Sequence, residues 1–255
     1  MILRRLSQSI KEQNWAAIVI EFILLVAGVF LGMQVSNWNQ ESGERAAEIG
    51  YLGGLKEDVD YSIRRLRVLI LALEGQQVAR ARLYDFATDP RSTLEPAERD
   101  RLILIGLFEL PQLDINEVTF ETLKSSGRLA AIHSQKLLSE LQSLSVNVAA
   151  ARRDQADEVQ TTYLFSDPML VGNVDMGGVF RQPSRTGNPY IPWLKDGPDV
   201  APTPEIMKSQ QFSNVLLYRS FFTNLRLINA RKMIEQHQRI ADLIKARQAQ
   251  LGVKP

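Results

Sequence analysis

Few side chains in this sequence are equipped for chemistry. It holds two histidines, His133 and His237, and no cysteine, which excludes thiol catalysis, disulfides and thiolate metal sites together. Neither histidine has a second histidine or a carboxylate at a ligand spacing such as H-E-x-x-H. His133 reads as a solvent-facing residue at a helix start, and His237, between Ile234 and Ile240, as a core residue. The acidic run "EDVD", Glu57 to Asp60, offers hard oxygen donors, yet acids at that density on a helix are ordinarily a solvated face. No GxSxG, P-loop, GxGxxG or SxxK pattern is present. The expectation is a protein without catalytic residues, metal or cofactor. Lys plus Arg number 30 against 29 Asp plus Glu, so no global field recruits nucleic acid.

One ionisable residue stands in a setting that demands explanation. Glu21 is the single charged side chain between Trp15 and Val35, 21 residues that match the length about 30 Å of hydrocarbon requires of a helix. Ala17, Glu21, Leu25, Gly28, Gly32 and Ser36 recur at spacings of three and four, so they share one face of that helix. Gly28-x-x-x-Gly32 lets a second helix approach closely, and Glu21 on the same stripe can hydrogen-bond across the contact. A glutamate snorkelling to the near interface is the simpler alternative. Beyond the span, Trp38 is placed as an interfacial anchor with Asn37 and Asn39 beside it.

The flanks of the span orient it. Arg4, Arg5 and Lys11 stand before it against Glu12, whereas Glu41, Glu44 and Glu48 follow it against Arg45. The excess of basic residues stays inside, which predicts residues 1–14 as a cytoplasmic tail, 15–36 as a transmembrane helix and 37–255 as an exported domain, periplasmic in a bacterium. The apolar stretch is longer than a signal-peptide core and has no A-x-A-like cleavage site after it.

The elements of the exported part read as helices. Ile49, Leu52, Leu55, Val59, Ile63, Leu66, Ile70 and Leu73 form one near-heptad stripe, predicting a long helix from Ser36 to about Phe86 that "ATDPRSTLEP" breaks. "PAERDRLILIGLFEL" begins with Pro96 at a first helical position. "NEVTFETLKSSG" has Asn116 as N-cap, Glu117 in the first turn and Gly127 as a left-handed C′ residue. A further helix runs from Ser134 towards Phe165 with Leu137, Leu141, Leu144 and Val148 on one face. Residues 166–204 hold seven of the eleven prolines, predicting a long loop without helix; its Tyr190 and Trp193 mark it as a candidate contact loop. The last helix, Glu205 to about Leu251, is predicted to bury Phe212, Val215, Tyr218, Phe222, Leu225, Ile228, Ile234, Ile240 and Ile244.

"EFILLVAGVFLGMQVSNWNQE" resembles the span of a family of single-pass bacterial membrane proteins known only as a domain of unknown function, E-I-x-L-V-x-x-G-I-x-x-A-L-x-x-N-N-W-N-E. Glu21, Gly28, Gln34, Asn37, Trp38 and Asn39 stand at matching places; Ile20, Gly32 and Ser36 depart from the pattern. "TFETLKSSGRLAAIHSQKLLSELQSL" is similar to the family's middle segment through Phe120, Leu123, Ser126, Gly127, Leu129 and Ile132. The resemblance implies membrane placement and helical architecture, and no activity.

Together these readings predict an all-α protein: one transmembrane helix continuing into a bundle whose long first and last helices run antiparallel. Glu41, Glu44, Glu48, Glu57, Asp58 and Asp60 are expected to lie opposite Arg239, Lys245, Arg247 and Lys254. Partners are expected to be the membrane and either a second copy of the chain or another membrane or periplasmic protein. The function expected is that of an adaptor, scaffold or sensor-like protein working by contact. A homo-oligomeric pore or transport component with Glu21 on its contact face is the alternative, and a periplasmic enzyme the more distant one.

Overall fold

The computed structural model describes residues 15–181, 191, 193–195 and 202–253, with side chains from residue 20 onward. Every regular element among them is helical. The chain divides into two compact units, Met1–Tyr51 and Leu52–Pro255. Helix α1, Trp15–Thr88, belongs to both.

In the first unit, α1 carries one stretch apolar enough to cross a membrane, and none of that stretch is covered by protein. Ala17 lies among the residues whose side chains are not described. The remaining predicted face residues, Glu21, Leu25, Gly28, Gly32 and Ser36, are all exposed, as are Asn37, Trp38 and Asn39.

In the second unit, α1 presents a seam of Leu52, Leu55, Val59, Ser62, Leu66, Leu69, Leu73, Gln76, Arg80 and Leu83, every one buried. The spacings alternate three and four without a break, the period of coiled-coil packing. The predicted stripe drifted to Ile63 and Ile70, which are only half-buried, because Ser62 hides the true seam from a reading based on hydrophobicity.

Helix α2, Pro96–Ile103, leads into a π-helical turn, Leu104–Phe108. Helix α3 is Val118–Ser125. Its start differs from the expectation: Glu117, not Asn116, is the N-cap residue and makes no capping bond. Asn116 Oδ1 accepts from the Val118 amide instead, and Asp58 of α1 accepts from the Thr119 amide at 2.8 Å and from Asn116 Nδ2 at 2.7 Å. A carboxylate from another helix thus caps α3. Its end matches expectation. Gly127 has φ +69°, the Arg128 amide donates to the Leu123 carbonyl and Gly127 to Lys124, the two bonds of a Schellman motif.

Helix α4, Gln135–Thr161, starts from Ser134, whose hydroxyl accepts from the Leu137 amide, and buries Leu137, Leu141, Leu144 and Val148. It runs on as a second π turn, Thr162–Ser166. Two short helices follow, α5 Asp167–Val171 and α6 Met176–Arg181, where no helix was expected. Pro168 occupies the first turn of α5, and the Leu164 carbonyl of the preceding π turn receives no N–H from it.

The last helix, α7, spans Gln210–Gln250 with Ser209 as its N-cap. It returns antiparallel to α1. Lys208 donates to the carbonyls of Phe86 and Asp89, Gln77 to Ser220, and Arg231 pairs with Glu74. An apolar cluster including Leu83, Phe86, Ile103, Leu107, Leu170, Val179, Met207, Phe212 and Leu216 fills one end; each fully buried large side chain there is worth about 1.5–3 kcal/mol. Among the described residues, Asp58 and Asp60 engage other partners than the basic end of α7. Asp58 caps α3, Asp60 pairs with Lys56 at 2.6 Å, and Arg239 reaches Glu140 at 3.9 Å. Lys254 lies outside the described residues.

Candidate functional site

The inner face of α7 departs from its predicted stripe in the middle. Phe212, Val215, Ile240 and Ile244 are buried, but Tyr218 is 48% and Ile228 42% exposed, and Phe222, Leu225 and Ile234 are only half-buried. The buried positions between them are Arg219, Thr223, Arg226, Leu227, Ala230, Met233, Gln236 and His237. Polar side chains occupy the core face there, and the aromatic ones are turned outward.

Those polar residues meet a single carboxylate. Glu158 of α4, fully buried, takes Arg226 Nη1 at 2.5 Å and the Thr223 hydroxyl at 3.1 Å. Arg219 Nη2 is 3.7 Å and Arg80 Nη2 3.9 Å from its Oε1. Arg80 is well satisfied otherwise. Its Nε donates to the Gly106 carbonyl at 2.6 Å, and its other nitrogens to the Arg219 carbonyl, Thr223 Oγ1 and Gln76. A Cβ on Gly106 would stand 3.3 Å from Arg80 Cγ, so the absence of a side chain in the first π turn makes room for the stem of Arg80. Burial, then the Arg219 charge, pulls Arg80 down to about 9, still cationic at neutral pH. Burial also pulls Arg219 down, against the attraction of Glu158 and Asp167. Three guanidiniums share one carboxylate, an arrangement that leaves positive charge poorly compensated in low dielectric.

Arg219 differs from its neighbours. Nε, Nη1 and Nη2 all lack a hydrogen-bond partner among the described residues, and so do Ser166 Oγ and Asp167 Oδ1. Burial raises the Asp167 carboxyl, with Arg219 opposing.

The π turn Thr162–Ser166 sets this geometry. Pro168 supplies no N–H to the Leu164 carbonyl and would crowd it, and the chain widens one turn earlier: the Asp167 amide donates to Thr162 O, five residues back. The Thr161 and Thr162 hydroxyls occupy the Asp157 and Glu158 carbonyls. Tyr163, Leu164 and Phe165 are left exposed. Leu164 and Phe165 border an open groove of about 940 Å³, lined by these two, Ser166, Pro168 and Met169 on one side and by Asn214, Leu217, Tyr218 and Phe221 on the other, with Arg219 at its floor. Phe165, Tyr218, Phe222 and Phe221 form a chain of edge-to-face contacts at 6.3, 5.2 and 5.5 Å.

Sequence reasoning missed this groove. Of the residues it singled out, Trp193 is 79% exposed and does not line it, and Tyr190 lies outside the described residues. His133 is exposed; His237 is buried with Nδ1 2.7 Å from the Met233 carbonyl, and burial lowers its pKa. The signal that was available is the interruption of hydrophobicity by Arg219, Thr223 and Arg226 at core spacing. No family model matches the chain, and no curated protein or solved structure is similar to it.

Proposed function

We propose that this is a single-pass protein of a bacterial inner membrane, its N-terminus in the cytoplasm and its domain from about residue 37 in the periplasm, that acts by contact as an adaptor, scaffold or sensor-like protein. The uncovered apolar stretch from Ile20 to Val35 supports the anchor, since water penalises its exposed Phe, Ile, Leu, Val and Met side chains and lipid does not. The charge asymmetry of its flanks supports the orientation, and the resemblance of the span to a family of single-pass membrane proteins agrees with the anchor.

The observation that carries the contact reading is the aromatic groove of the second unit. Soluble surfaces seldom leave Phe165, Tyr218 and Phe221 contiguous and roughly half-exposed or more; such patches mark binding sites. The span supplies a second contact face, because a Cβ placed on Gly28 or Gly32 meets nothing within 4 Å, leaving that face free for another helix. The same observation favours the alternative, a homo-oligomeric pore or transport component with Glu21 on the contact face.

Photo-crosslinking residues at Leu217, Gly28 and, as a control on an exposed face, Val146 test this in native membranes. Adducts are expected at Leu217 and Gly28 above the level at Val146. Adducts only between copies, and only through Gly28, favour the pore; none at either position removes the contact reading.

A further inference from the structure

Eight buried side-chain polar atoms lack a hydrogen-bond partner among the described residues, and five of them belong to Ser166, Asp167 and Arg219. Their convergence is not what a sealed core shows, because each unpaired buried group is costly and natural cores pair them. Ser166 and Arg219 line the groove, Arg219 fully buried at its floor. Its nearest carboxylate oxygen, on Glu158, is already engaged by Arg226 through its twin and by Thr223 directly. Asp167 is close enough to act on Arg219 electrostatically but makes no hydrogen bond through Oδ1. The walls above are apolar and aromatic: Leu164, Phe165, Pro168, Met169, Tyr218 and Phe221.

We propose that the groove binds one anionic amphiphile, with its head group on Arg219 and Ser166 and its apolar body along Phe165, Tyr218 and Phe221. This rests on the groove being a contact surface of the exported domain, and it names the occupant. Charge complementarity selects the anion: a carboxylate or phosphate monoester accepts from the guanidinium and from the serine hydroxyl, and offsets the surplus that Arg80, Arg219 and Arg226 keep over Glu158 and Asp167 together. Size selects a single small ligand, since about 940 Å³ falls within the 300–1,000 Å³ typical of such sites. Because Arg219 is covered even with the groove open, the head enters by parting the π turn Thr162–Ser166 from α7. π turns recur at functional sites, and this one already gives up regular α-helical hydrogen bonding.

The test uses the full chain in nanodiscs of zwitterionic lipid with photoreactive dodecanoate, dodecyl phosphate and dodecanol. Both anionic probes are expected to label peptides covering 161–169 and 210–221, about tenfold or more above the alcohol, the discrimination a charge-assisted head contact supplies. Unlabelled dodecanoate or dodecyl phosphate should displace the label, whichever competes better identifying a fatty acid or a phosphate lipid as the source. Arg219→Met should reduce anionic labelling to the level of the alcohol. Asn214→Trp, at an exposed position that fills the groove and leaves the core intact, should abolish all labelling. Amide exchange in 162–168 should change when dodecanoate binds.

Equal labelling by acid and alcohol, labelling unaffected by Arg219→Met in a folded protein, or displacement by inorganic phosphate alone would each overturn the proposal. So would displacement by a hydrophobic peptide with a free C-terminal carboxylate but not by dodecanoate. Should the amphiphile fail while Leu217 still gives a protein adduct, the contact reading stands with a different occupant.

Discussion

Glu158 and Arg219 occupy the same buried cluster and have opposite worth. Glu158 is the one carboxylate near three guanidiniums, so Glu158→Gln should destabilise by about 3–5 kcal/mol, the cost of stranding buried charge. Arg219 makes no side-chain hydrogen bond among the described residues, so Arg219→Met should leave stability unchanged or raise it. Urea unfolding of both variants in detergent decides this; equal losses would contradict the assignment. His237 gives a pH signature. Burial lowers its folded pKa, so the unfolded chain takes up the proton first as pH falls through about 6.5, and the stability His237 supports is full above that pH and declines below it. Replacing it, as in His237→Gln, should flatten the difference in urea midpoint between pH 8 and pH 5. None of this cluster was legible from hydrophobic periodicity. That reading places Tyr218 and Ile228 inside because they are apolar, whereas the core there is built from Arg219, Thr223 and Arg226, which fold inward around the Glu158 carboxylate.

At the scale of elements, caps and breakers were largely readable and register shifts were not. Ser134 and Gly127 do what their types suggest, and Gly127→Ala should cost about 1–2 kcal/mol for forcing a side chain into the left-handed region, measured as a lower Tm. Asp58, in a run whose pattern reads as a solvated acidic face, caps α3 from 61 residues away in the chain, a role no local pattern encodes; Asp58→Ala should cost about 1 kcal/mol. Residues 166–204 differ from the expected loop where described, since Asp167–Val171 and Met176–Arg181 are helical. Both π turns precede a proline, Pro111 or Pro168. A proline that cannot donate relaxes the helix ahead of it by widening. That local slip exposes Leu164 and Phe165 and so creates one wall of the groove.

For the whole molecule, the long first and last helices and their antiparallel return within the second unit were readable, because heptad-like spacing over many turns outweighs individual errors. Charge was a poorer guide: Asp58, Asp60 and Arg239 are engaged with nearer partners than the pairing anticipated, as expected when exposed ion pairs are worth under about 1 kcal/mol and local geometry decides. The account's central claim is that the α-helical domain is held on the outer side of a membrane by one span. Since the chain has no cysteine, a single Val146→Cys substitution on an exposed face of α4 reports its side of the membrane. In intact cells, a membrane-impermeant maleimide is expected to label this residue as fully as it does after lysis. Labelling only after lysis would contradict the account.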